Sequence, residues 1–382
     1  MSTREFQLLL QSARSRPDAG RIGNLVQEGI NWQTLLELAK RHHVQSLVIR
    51  SLKLACWDAV PPAQQVELES SSRTIAVKNL LCTGELFRLL DAFGKNGIAS
   101  VAFKGPVLAE LVYGDLFLRE FADLDILVHQ ADVCKAEKVL ITGGYQSYDQ
   151  DKDYRSAFLS YYGQQPFWAA NGVMVDLHWR LASKNVALPI QLSAVWERLQ
   201  KVMILGRNVP TLAWQDIPLF LAAHGTMHGW ASLIWLCDFA ELLHKREDID
   251  WGILFHCAQR AHSSRPLLLA MFLASTMLDA PAPTELTKKA RESSAVQALA
   301  EKARLEMLRP PSQGDLGEFL WGLRTHDLLR HKLRPLTELA VTRTVNDYWA
   351  MPLPKPLWGM YYLTRPFRLA GRMASNLTAF LR

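Results

Sequence analysis

Asp123-Leu124-Asp125 places two carboxylates two residues apart inside an apolar run, Phe121 to Val128, that reads as a buried strand. Strand side chains alternate between faces, so both acids point the same way. Two acids side by side in a half-dry setting repel each other and lose hydration, a cost that a cation or a shared proton between them relieves. A third acid, Asp176, lies on a later strand, where Met174, Asp176 and His178 share one face and Val173, Val175, Leu177 and Trp179 the other. Upstream, Ile98 to Phe103 predicts a short strand that runs into Lys104-Gly105-Pro106. A helix follows, with Val107, Leu108, Leu111 and Val112 on its apolar face. A strand, a glycine turn and a helix start leave free backbone amides and a positive dipole end at Gly105, with the Lys104 charge beside it. Such a turn can seat a phosphate.

A phosphate seat and three carboxylates suit nucleotidyl transfer, in which triphosphate oxygens are cradled and two metal ions clamp the attacking and leaving oxygens. Magnesium prefers oxygen ligands. Asp123 and Asp125 are therefore expected to hold two Mg2+ ions, with Mn2+ as a substitute, and Asp176 the ion that activates the acceptor hydroxyl. Lys104, Gly105, Arg119 and His178 are the candidate nucleotide-binding residues. Two readings stay open for Arg119: pairing with Asp115 or Glu120 on the surface, or reaching the triphosphate or the acids. For His178 the choice lies between touching a phosphate and serving as a hydrogen-bonded sheet histidine.

Around these residues the 382-residue chain is half apolar and about one fifth charged, an ordinary globular profile. Residues 1–94 read as an N-terminal helical region, 95–182 as the catalytic core, and 183–350 as a second helical region. Residues 351–382 read as a proline-rich connector with a basic amphipathic helix. Asn171-Gly172 predicts a hairpin turn between Gln164 to Ala169 and Val173 to Trp179. Beyond about residue 185 the pattern is helical throughout. Asp216 is expected to cap a long helix carrying His224, His228, Trp235 and Asp238, weakened in its middle by Gly225 and Gly229. His224 and His228 have the spacing of a metal pair but lack a third ligand, so packing is the better reading. His42-His43 reads as a surface or capping pair.

Five scattered cysteines support neither a disulfide framework nor a zinc site. Together with an N-terminus that lacks a signal-peptide pattern and the lack of a long apolar run, this leads us to expect a cytoplasmic protein. The net charge of +6 collects in the tail, where no acid follows Asp347, so no specific nucleic-acid partner is expected. The basic tail helix either touches an anionic membrane surface weakly or docks on the protein's own acidic surface.

The pattern K-G-x-x-L-A-x-x-x-Y-G-D from Lys104, then R-E-x-x-D-x-D-x-L-V from Arg119, then V-D-L-H-W from Val175, resembles the uncharacterised bacterial nucleotidyltransferase-like family of the DNA polymerase beta nucleotidyltransferase superfamily. The resemblance is concentrated in residues 98–180 and extends more weakly over the helical flanks. It implies an α+β fold, a small mixed β-sheet core embedded in a mostly helical protein. It also implies metal-dependent transfer of a nucleoside monophosphate from a nucleoside triphosphate to an acceptor. Carried over residue by residue, the metal-binding acids fall on Asp123, Asp125 and Asp176, and the phosphate-side glycine on Gly105. Many superfamily members have Gly-Ser or Gly-Gly where this chain has Lys104-Gly105-Pro106, so a phosphate-binding serine is missing. That departure keeps open a catalytically weak, nucleotide-sensing or partner-binding module, and the tail helix keeps open a membrane-peripheral scaffold.

Overall fold

The computed structural model describes residues 3–147, 159, 162–182, 188–308, 321–327, 347, 350–365 and 368. The architecture is α+β, with a small mixed sheet set among helices. Five helices open the chain: α1 (Arg4–Ser12), α2 (Ala19–Gln27), α3 (Trp32–Arg41), α4 (Gln45–Ala55) and α5 (Pro62–Lys95). Thr3, Asp18 and Asn31 cap the first three through their side chains, which accept amides otherwise left without partners at helix starts. Leu8, Leu9, Leu35, Leu47 and Leu52 are fully buried where these helices meet.

After α5 the chain turns at Gly97 into β1 (Ser100–Ala102), which is shorter than the apolar run around it. A helical turn, α6 (Pro106–Leu108), continues as a π-turn over Ala109–Tyr113. The acid strand β2 spans Asp123–Val128, two residues shorter than its apolar run, and α7 (Val133–Thr142) follows. The hairpin of β3 (Gln164–Trp168) and β4 (Met174–His178) completes a sheet of order β1-β2-β4-β3. β2 runs parallel to β4 and antiparallel to β1, and β3 runs antiparallel to β4. In the hairpin only Gly172 takes positive φ, and its amide donates to the Ala169 carbonyl. The dipeptide Asn171-Gly172 thus closes a wider loop than a two-residue turn.

The expectation of helix throughout beyond residue 185 is corrected. After a short helix, α8 (Leu192–Glu197), a second hairpin forms from β5 (Gln200–Ile204) and β6 (Arg207–Thr211). Leu205 and Gly206 both take positive φ, the turn that matches strand twist. Val202, Ile204, Val209 and Thr211 are buried in the period-two pattern of a half-covered strand pair.

The long helix expected after Asp216 is two helices, α9 (Ile217–Met227) and α10 (Leu233–Lys245). Gly225 does more than weaken its helix: Trp230, fully buried, folds back so closely that a Cβ at Gly225 would lie 2.5 Å from its ring carbons. Asp216 stands at the cap position without capping, because Arg198 takes its carboxylate with contacts of 2.8 and 2.5 Å. The remaining helices are α11 (Trp251–Arg260), α12 (Ser264–Met277), α13 (Thr284–Glu292) and α14 (Ser294–Leu308). α12 is apolar nearly all round and packs against α9, α10, α13 and α14, which makes it the centre of this half.

His42 is not a surface residue. It is fully buried, its Nδ1 accepts the Leu233 amide at 3.2 Å, and its Nε2 lies 3.1 Å from the Met307 carbonyl oxygen. It does cap a helix, but the helix is α10, far away in sequence. Among the described residues no helix is long and apolar enough to cross a membrane. The expected tail helix beyond residue 368 lies outside the described residues.

Gly225→Ala is expected to cost about 1–3 kcal/mol in urea denaturation, because Trp230 has to leave its seat. His42→Ala is expected to cost about 2 kcal/mol at pH 7. Burial, with the Arg41 charge adding to it, pushes the His42 ring down to about 4. An unfolded histidine takes its proton near 6.5, so the stability His42 confers is complete above about pH 6.5 and is lost as pH falls toward 4. The stability gap between wild type and His42→Ala should therefore shrink across that window in paired denaturation curves.

Candidate active site

The parallel pairing of β2 and β4 sets Asp125 opposite Asp176 and Leu127 opposite His178. With alternation along each strand, Asp123, Asp125, Asp176 and His178 all lie on one face. The other face carries Leu124, Ile126, Val175 and Leu177, all buried, and α5 packs on β1 and β2. Burial on one side is what pins the register, since a slip of one residue would turn the acids into the core.

Asp125 is only 2% exposed. Its Oδ1 accepts the Lys104 ammonium at 2.7 Å and lies 3.0 Å from His178 Nε2. Burial raises the proton affinity of such a carboxyl, but Lys104 and His178 outweigh it and hold Asp125 well below the ordinary carboxylate range. Its Oδ2 is buried and has no hydrogen-bond partner. The two neighbouring acids go the other way. Burial, with the charge of Asp125 next, pushes Asp123 up; burial, with the charges of Asp125 and Asp123 adding to it, pushes Asp176 up to about 6. Gln164 donates to Asp176 Oδ2 at 3.1 Å.

One ligand atom each from Asp125, Asp176 and His178 lie within 4.8 Å of one another. The donor set fits a cation: one carboxylate held well below the ordinary range with an unsatisfied buried oxygen, beside two acids whose proton affinity is raised by burial first and by like charge. The compact group contains His178 where the sequence pointed to Asp123, which stands on the same face beside it. His178 is a hydrogen-bonded sheet histidine, with Nδ1 3.3 Å from the Arg180 carbonyl oxygen.

Gly105 has φ +57° and ψ −128°, and a Cβ there would come within 3.2 Å of the Asp123 carbonyl oxygen. Glycine lets the turn lie against the acid strand. Lys104, expected beside a phosphate, serves Asp125 as counter-ion. Arg119 pairs with neither Asp115 nor Glu120 side chain to side chain; its guanidinium forms a two-pronged ion pair with Asp238 at 2.8 and 2.9 Å, both groups buried. Tyr113 donates to the same carboxylate at 2.9 Å. Asp238 of α10 thus joins the helical half to the segment before β2. Its signal is present in the sequence: an acid set among Ile234, Leu236, Cys237 and Ala240 on an apolar helix has to meet a buried cation.

A cavity of about 660 Å³ opens over the acid face. Lys104, Gly105, Asp123, Asp176 and His178 line the sheet side, and His224, His228 and Trp235 the helical side. Phe103 joins the two, its ring 4.9 Å from His178 and 5.2 Å from Phe220 of α9.

Asp238→Ala is expected to destabilise the protein by roughly 3–5 kcal/mol, because it strands the Arg119 charge in a dry setting. Arg119→Met combined with Asp238→Leu should recover most of that loss in chemical denaturation, which separates a stranded charge from a packing defect.

No curated protein matches the chain. A family model described as an uncharacterised nucleotidyltransferase matches residues 28–279, which takes in α3 to α12, the whole four-stranded sheet and both walls of the cavity. The match spans more than half of the 382 residues, and with the acid sheet it accounts for, the chain belongs to the uncharacterised nucleotidyltransferase family.

Proposed function

We propose that this protein transfers a nucleoside monophosphate from a nucleoside triphosphate to a hydroxyl acceptor, with Mg2+ held by Asp123, Asp125 and Asp176. The acceptor class extends over small molecules, saccharides, peptides and proteins. The observation that carries the reading is Asp125 Oδ2, a buried carboxylate oxygen without a donor on a face shared with two more acids. Oxygen ligands of this kind are what magnesium prefers.

When bound, the ions supply the positive charge that phosphoryl oxygens and an ionising acceptor hydroxyl need. The chain's own residues do the positioning. Asp125 is held in one rotamer by Lys104 and His178, and Gly105 keeps the phosphate-side turn against β2. The acceptor oxygen forms a bond to the α-phosphorus, the bond from that phosphorus to the bridging oxygen breaks, pyrophosphate leaves, and the acceptor proton passes to water.

The Lys104–Asp125 contact favours a second reading. An ammonium already seated on the central acid competes with a cation, which suits a module that binds nucleotide with little turnover. Incubation with labelled triphosphates and host lysate, read as pyrophosphate release and label transfer, separates the two.

Asp125→Asn and, independently, Asp123→Asn are expected to lower pyrophosphate release at least about 1,000-fold. Both should also abolish any rise in melting temperature that Mg2+ with a nucleoside triphosphate brings to wild type. Unchanged release in either folded variant would sink the assignment.

A further inference from the structure

The helical wall of the cavity has no part in the acid chemistry. His224 lies on α9 and His228 just past its end, with ring centroids 4.8 Å apart. Trp235, in the first turn of α10, lies 5.6 Å from the His224 ring and 5.0 Å from the His228 ring. All three line the cavity. Three aromatic side chains gathered on the cavity wall opposite the acids form a surface against which a planar ligand can pack. Behind them Phe220 stacks on His224 at 5.6 Å, and Phe103 carries the aromatic run on to His178 and the acids. The wall is thus fixed in place relative to Asp125. Burial first, and the Lys104 charge next, hold the His224 ring well below the ordinary imidazole range, so it is neutral at pH 7.

One end of the cavity is ionic and suits phosphates; the other is aromatic, with the His224 ring set steeply to those of His228 and Trp235. A nucleotide has these two ends. We infer that the wall is the nucleobase subsite: the base of the nucleoside triphosphate lies against the Trp235 indole, with the imidazole nitrogens of His224 and His228 at its edge. The inference rests on the nucleotidyl-transfer reading and specifies where that substrate's base goes. Stacking on an aromatic side chain tolerates any base, and the imidazole edges supply discrimination between bases.

The test is calorimetric titration of the full chain in Mg2+ with ATP, GTP, CTP, UTP and inorganic tripolyphosphate. At least one nucleotide should bind wild type more tightly than tripolyphosphate. Trp235→Leu and His228→Ala should each weaken that nucleotide about ten-fold while leaving tripolyphosphate unchanged, and Trp235→Phe should retain most of the affinity. His228→Ala, at the open edge of the cavity, carries the test if Trp235→Leu does not fold. The inference is overturned if the folded variants bind nucleotide as wild type does, if they lose tripolyphosphate equally, or if tripolyphosphate matches all four nucleotides on wild type. Binding of neither tripolyphosphate nor nucleotide overturns the nucleotidyl-transfer reading itself, and the subsite with it.

Discussion

A carboxylate taken out of water has to find positive charge, and the demand made by Asp125 organises the sheet around it. β2 carries the acid, and its two neighbours in the sheet each deliver a partner: the end of β1 leads into Lys104, and β4 ends on His178. The strand order β1-β2-β4 is therefore also the order of the electrostatics. Both partners converge on one oxygen and leave the other bare. That asymmetry, and not the mere presence of acids, distinguishes a site that can take up a cation from a neutralised ion pair.

The helical half is bound to this sheet by contacts of different physical kinds. Arg119, in the segment before β2, is locked to Asp238 of α10 by a buried ion pair. Phe220 of α9 meets Phe103 beside Lys104 through an edge-on aromatic contact. His42 at the end of α3 accepts the first amide of α10, so the N-terminal helices also determine where α10 begins. The cavity exists between sheet and helices, which agrees with a family match that covers both.

Much of the site was legible in the chain. A period of two is enough to put Asp123 and Asp125 on one face of their strand and Asp176 with His178 on one face of theirs, and apolar alternation in Val173 to Trp179 says which face is dry. The hairpin of β5 and β6 is hard to read in the sequence although Val202, Ile204, Val209 and Thr211 alternate, because short alternating runs compete poorly with the longer helical patterns on either side. The partners of Arg119, Asp238 and His42 are not legible in the sequence, since they lie 119, 119 and 191 residues away and nothing local favours one distant partner over another.

What the sequence determined by itself was the chemistry available: which residues are acids, which strand faces they occupy, and where only glycine permits the turn at Gly105. Those follow from backbone geometry and side-chain alternation, which act over a few residues. Only the tertiary structure decided that β2 and β4 lie side by side in parallel, that Lys104 neutralises Asp125, and that an aromatic wall closes the cavity opposite. Those outcomes depend on which surfaces bury each other and on charges that must be matched once water is gone, and both are properties of the packed whole.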